Sequence, residues 1–116
     1  MNRDVLRGDI WWVDWSPGRG SEQTGRRPAV VVQTDVANRH RTYPNTIIVA
    51  VSRKTRSVSF HVRLTPTETN GLRAISFVKC EQMLTISKER LRSRLGRLGD
   101  DDLQRVDAAL RLVLDI

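Results

Sequence analysis

The sequence predicts a mainly β fold with one substantial C-terminal helix: a small, strongly curved antiparallel sheet that could close into a barrel. Three observations carry this expectation. Short β-branched or alternating runs recur six times before position 87, turn residues separate most of them, and one amphipathic segment ends the chain. With 116 residues the chain fits one domain, residues 1–116, long enough to bury roughly two thirds of the surface that its unfolded form exposes.

The elements follow in order. Residues 9–15 alternate, with Trp11, Val13 and Trp15 on one face and Ile10, Trp12 and Asp14 on the other. Ser16, Pro17, Gly18 and Gly20 break this strand and begin a polar loop that lasts to Arg27. Residues 29–33, an apolar run ended by Gln33, read as a buried strand that Pro28, lacking an N–H, can only open. Residues 35–45 form a second polar loop, and TIIVAV at residues 46–51 a second interior strand. Phe60, Val62 and Leu64 alternate with His61 and Arg63 in a half-exposed strand that Pro66 closes, and Asn70-Gly71 is a turn. Strands are expected at residues 74–78 and 83–86, followed by a brief helix from an N-cap at Ser87 through Leu91. The last helix is expected to be capped by Asp100, to carry Asp101 and Asp102 at its positive end, and to bury Leu103, Val106, Leu110, Val113 and Leu114.

Charge narrows the partners. Lys and Arg number 20 against 13 Asp and Glu, a formal +7. The excess is local: residues 19–63 hold nine basic and two acidic side chains, whereas residues 100–116 hold five acids and two arginines. A polyanion, nucleic acid foremost, is the expected ligand of the basic half, although 17 of the 20 cations are Arg, which a genome's base composition alone can produce. The single cysteine, Cys80, excludes an internal disulfide, and with His40 and His61 it gives no zinc spacing, so neither metal nor cofactor is expected. No apolar span approaches 18 residues and no hydrophobic segment follows the polar start MNRD, so the chain is placed in the cytoplasm, away from membranes.

Four ordered blocks resemble a known family: RGDIWWVDWSP (residues 7–17), GSEQTGRRPAVVVQTD (residues 20–35), IIVAVS (residues 47–52) and CEQMLTISKERL (residues 80–91) resemble the MazF/PemK toxin endoribonucleases of type II toxin–antitoxin systems. The resemblance covers nearly the whole chain. It implies a compact SH3-like barrel of the CcdB/PemK type that forms a homodimer, cuts single-stranded mRNA at short sequence sites without a metal, and is neutralised by a cognate antitoxin whose flexible tail covers the RNA groove. Carried over by motif, Arg27, before the strand-opening proline, is the central catalytic residue, and Ser52, ending the IIVAV strand, is its partner. Many relatives have threonine at that position. Ser52 keeps the hydroxyl but loses the methyl that restricts the rotamer.

The chemistry asks for such groups independently. In metal-free cleavage the ribose 2′-OH attacks phosphorus and charge gathers on the phosphoryl oxygens, which a planar, permanently charged guanidinium can clamp in pairs. Glu22 is the natural general base, and equally a simple ion-pair partner for Arg26. Ser21, Gln23, Arg26, Asn38 and Gln82 are the candidate RNA contacts, Gln82 by its likeness to a groove position. His40 and His61 lie on different elements and are expected at the surface, Cys80 in strand-end packing, and Trp12 in the core or a dimer contact rather than under a base. A rival reading keeps the barrel without catalysis, as a gyrase-inhibiting toxin or an RNA-binding module.

Overall fold

The computed structural model describes residues 4–15 and 25–116. Ser21, Glu22 and Gln23 therefore lie outside the described residues.

The strands are β1 Asp9–Asp14, β2 Arg26–Val31, β3 Asn45–Ser52, β4 His61–Leu64, β5 Ser76–Ser87 and β6 Leu91–Arg97. Two helices accompany them, the single turn α1 Asp35–Asn38 and the long α2 Asp100–Leu114. All pairings are antiparallel, in the order β4-β5-β3-β2-β1-β6. The strands predicted from β-branched runs are thus the interior ones, where both faces are buried.

Alternation sorts the side chains into two cores. Ile10, Val30, Val49, Val51, Val62, Leu64, Val78 and Cys80 form one with Val106, Ala109 and Leu110 of α2, so the helix covers that face as its apolar spacing predicts, except that Leu114, in its last turn, is exposed. Trp11, Val13, Trp15, Ala29, Val31, Ile48, Ala50, Ile86 and Leu91 form the other. Burial pushes the Cys80 thiol up to about 12, which leaves it a small apolar filler.

The barrel does not close. β4 and β6 stay edge strands, but the sheet curls until the loop after β4 meets β6, where the Arg97 amide donates to the Thr69 carbonyl at 3.0 Å. Two glycines permit that approach: a Cβ on Gly71 would lie 2.1 Å from the Leu95 carbonyl oxygen, and one on Gly96 2.3 Å from that of Thr69.

Other departures have local causes. β2 begins at Arg26, so Pro28 lies inside it, opposite Trp12, but its ladder to β3 starts only at Ala29 and no interior bond is lost. Residues 35–38 of the expected loop form α1, whose first turn the Thr34 hydroxyl caps by accepting from the Val36 amide. The two short strands expected at residues 74–78 and 83–86 are one strand, β5, interrupted by a bulge. The helix after Ser87 shrinks to the 3-10 turn Lys88–Arg90, and β6 follows at once. Gly99, not Asp100, is the N-cap of α2, with Asp100, Asp101 and Asp102 all in its first turn, where they favour the positive helix end.

Candidate active site

Residues opposite one another in an antiparallel ladder point to the same side. Trp11 faces Ala29, Ala29 faces Ala50, Ala50 faces Lys79, and Lys79 faces His61, so one row crosses five strands. The next row on that face holds Val13 against Arg27, and Ser52 against Phe77, which faces Arg63. The β2–β3 ladder ends at the Ala29–Ala50 pair, and Arg27 and Ser52 each stand two residues beyond it at the same end of the sheet. Ala29 and Ala50 are fully buried, Ser52 is half-buried and Arg27 exposed. The valine runs drag both strands into the core, and the polar pair emerges where that core ends.

Ser52 is held from behind. Its Oγ accepts a hydrogen bond from the Lys54 amide at 3.1 Å, which orients the hydroxyl and leaves its proton to be donated. That bond restricts the rotamer as a threonine methyl would. Arg53, Lys54 and Arg56 follow in an exposed loop, Arg63 is exposed on β4, and Lys79 is half-buried on β5.

Arg26, exposed, lies 3.6 Å from the Asp14 carboxylate. Asp14 also binds the Arg92 guanidinium, and that hydrogen bond, with the charges of Arg92 and Arg26, holds its carboxyl below the ordinary value of 3.8. Arg26 therefore has an acidic partner other than the anticipated Glu22.

Gln82 lies in the β5 bulge. Ala50 pairs with Lys79 and the adjacent Val49 with Met83, so Cys80, Glu81 and Gln82 are extruded between them. Cys80 stays buried, Glu81 is exposed and Gln82 half-buried. Bulges re-aim side chains and are frequent beside active sites. Here the bulge lies opposite the Val49–Ala50 step of β3, two residues before Ser52.

Asn38, expected at the RNA surface, is instead 4% exposed. Its Oδ1 accepts from Gln33 Nε2 at 2.9 Å and Thr46 Oγ1 at 2.8 Å, and its Nδ2 donates to the Gln33 carbonyl at 2.9 Å and to Asp35 Oδ1 at 3.1 Å. No capacity remains for a base. The buried Lys88 ammonium binds the carbonyls of Asn38 and Tyr43 at 2.8 and 3.0 Å, so this network pins the loop at the opposite end of β3 from Ser52.

His40 is exposed, as expected, but His61 is not a surface residue: its side chain is 1% exposed, with Nε2 3.0 Å from Glu81. Trp12 is half-buried on β1. Sequence reading passed over Phe77 and Lys79, which flank Ser52 and Ala50 on β5. Their signal was the period-two alternation with the buried Ser76, Val78 and Cys80, visible once the strand is known to start at Ser76. Among the described residues, no three His, Cys, Asp or Glu side chains converge into a metal-binding group.

Comparisons with known proteins agree with this geometry. Residues 6–114 match the model of the PemK-like, MazF-like toxin of type II toxin–antitoxin systems. The chain is 40% identical over 116 residues to Endoribonuclease MazF9 of Mycobacterium tuberculosis, covering 97% of this chain and 98% of that one. It is 36% identical over 112 residues to Endoribonuclease EndoA of Bacillus subtilis, covering 95% and 94%. Among solved structures, MazF from Deinococcus radiodurans superposes with a TM-score of 0.79 at 23% identity, covering 97% of each chain. An endoribonuclease in complex with its cognate antitoxin, from a mycobacterial species, gives 0.79 at 20% identity, covering 97% and 96%. Motif order, sheet topology and similarity over almost the full length agree: the chain belongs to the PemK-like, MazF-like toxin family of type II toxin–antitoxin systems.

Proposed function

We propose that this chain is the toxin of such a pair, a metal-independent, sequence-specific endoribonuclease that cuts single-stranded mRNA and so stops translation and growth. The observation that carries the reading is that Arg27 and Ser52 each stand two residues past the last β2–β3 pair, at the same end of the two central strands, where the buried core gives way to a cation-rich surface. Arg27 clamps the phosphoryl oxygens as the ribose 2′-OH attacks phosphorus. Its fork geometry stabilises charge that is greater in the transition state than in the substrate. Ser52, its lone pair occupied by the Lys54 amide, donates its proton to one of those oxygens. As the P–O2′ bond forms the P–O5′ bond breaks, the 5′ oxygen leaves as a hydroxyl protonated by water, and a 2′,3′-cyclic phosphate remains. Glu22 is assigned as general base, with Ser21, Gln23, Arg26 and Gln82 as RNA contacts. Asn38 is withdrawn from that set, because its amide is consumed inside the protein.

The endoribonuclease names of the two relatives and the antitoxin-bound mycobacterial structure support the same reading, with a cognate antitoxin as partner; the homodimer that the family resemblance implies is the proposed working form. The cytoplasm, where mRNA and antitoxin meet, is the proposed compartment. Among the described residues no helix is long and apolar enough to cross a membrane. Incubating the purified chain with single-stranded RNA in excess EDTA tests the proposal. The nuclease shortens the RNA, whereas a mere binder shifts it on a gel without shortening it.

A further inference from the structure

His61 opens β4, and although it was expected at the surface, every polar atom of its ring is engaged. Nδ1 lies 3.1 Å from the Thr55 hydroxyl and 3.4 Å from the Arg56 backbone nitrogen, and Nε2 lies 3.0 Å from each oxygen of the Glu81 carboxylate. An edge-on contact with Phe60, ring centroids 5.5 Å apart, fixes the ring plane. A backbone N–H can only donate, so Nδ1 must be the acceptor. The ring proton then sits on Nε2 and is donated to Glu81. Thr55 Oγ1 in turn accepts from the Ser57 amide at 3.1 Å.

The two things that this ring joins flank the candidate active site. On one side is the loop that leaves Ser52, carrying Arg53, Lys54 and Arg56 exposed, with Ser57 at a φ of 55°, a conformation unfavourable for a residue with a Cβ. Hydrogen bonds to His61 and Thr55 offset that strain. On the other side is the β5 bulge, where Glu81 adjoins Gln82. A chain of three cations on an untethered loop would lose much of its attraction for a phosphate backbone to the entropy of ordering the loop on binding.

We propose that His61 is a positioning residue: it locks the cationic loop after Ser52 to the β5 bulge, so that Arg53, Lys54 and Arg56 present a preformed track for the RNA backbone beside the scissile phosphate. The inference rests on the ribonuclease reading for its substrate, but the salt dependence of binding an uncleavable strand tests it apart from cleavage.

The test compares the full-length wild type with His61→Ala and His61→Asn. Asn carries an oxygen close to where Nδ1 stood and so keeps the acceptor for the loop. Three quantities are measured: melting temperature, steady-state cleavage of a single-stranded RNA, and affinity for a 2′-O-methyl strand, which cannot be cut, at several salt concentrations. His61→Ala raises KM about tenfold with kcat within about threefold, and flattens the plot of log affinity against log salt by at least about one phosphate contact, a slope change near 0.7. His61→Asn recovers most of both. Should His61→Ala fail to fold, Thr55→Val removes the hydroxyl that meets the ring and leaves the ring in place; it changes KM and slope in the same direction. Unchanged KM and slope in the folded alanine or Thr55→Val variant overturns the proposal, as does an asparagine variant as impaired as alanine, which reduces the ring to packing. If the wild type binds the 2′-O-methyl strand but cuts no RNA, the nuclease reading fails while the salt slopes still decide the role of His61.

Discussion

Ser52 shows how a single side chain can be placed by its neighbours rather than by its own shape. Serine has a freer χ1 than the threonine that the family resemblance implies here, yet the Lys54 amide supplies the missing restraint. Ser52→Thr is therefore expected to keep kcat within about threefold, and Ser52→Ala to lower it about 10- to 100-fold, the loss of one donor to a developing oxyanion. Single-turnover cleavage of one RNA by the three proteins checks this; an alanine variant as fast as wild type removes Ser52 from the chemistry. The places of Arg27 and Ser52 at the ends of buried strands were legible in the sequence because their motifs sit against β-branched runs. Asn38 was misjudged because a polar residue in a polar loop gives no sign of the network around it, which Gln33, Thr46 and Lys88 close from 5 to 50 positions away. His61 was misjudged for a related reason: in an alternating strand it looks solvent-facing, and only the return of Thr55 and Arg56 over the ring buries it.

At the level of elements, the strands marked by continuous apolar runs (β2, β3) or by clear alternation (β1, β4) were readable, β5 only in two pieces, and β6 not at all. β6, with Arg92 and Arg94 exposed along an edge, lacks an apolar signature, and the spacing of Leu91, Leu95 and Leu98 imitates a helix. β5 read as two strands because its bulge shifts the alternation between Lys79 and Met83. Nothing in a period-two pattern announces such a shift, yet it re-aims Glu81 and Gln82. The α1–β3 corner belongs to this scale as well. Asn38→Ala leaves the Thr46 hydroxyl and the Gln33 amide and carbonyl without their partner in a buried site, and is expected to cost about 2–3 kcal/mol of stability. Chemical denaturation of wild type and variant measures it. A change below about 0.5 kcal/mol would mean that the network contributes little to folding.

For the whole molecule, the curled sheet separates functions. One face carries α2, which brings three acids at its first turn. The opposite face carries the row of Val13, Arg27, Ser52, Phe77 and Arg63, and the loop with Arg53, Lys54 and Arg56 leaves from the same end of β3. The formal +7 is therefore not spread evenly, and RNA affinity is expected to fall steeply with salt, with a slope of log affinity against log salt of about −2 to −4 for three to six phosphate contacts. A titration of the 2′-O-methyl strand between low and physiological salt measures that slope, and a value near zero would show that the cations do not meet the backbone.

The most direct measurement maps the ends produced on a long natural RNA in excess EDTA by the wild type and by Arg27→Ala. Discrete cuts ending in 2′,3′-cyclic phosphate, slowed about 10²- to 10³-fold or more by the substitution, are the predicted result. Cuts that persist at full rate without Arg27, or that vanish from the wild type once divalent ions are chelated, would contradict it.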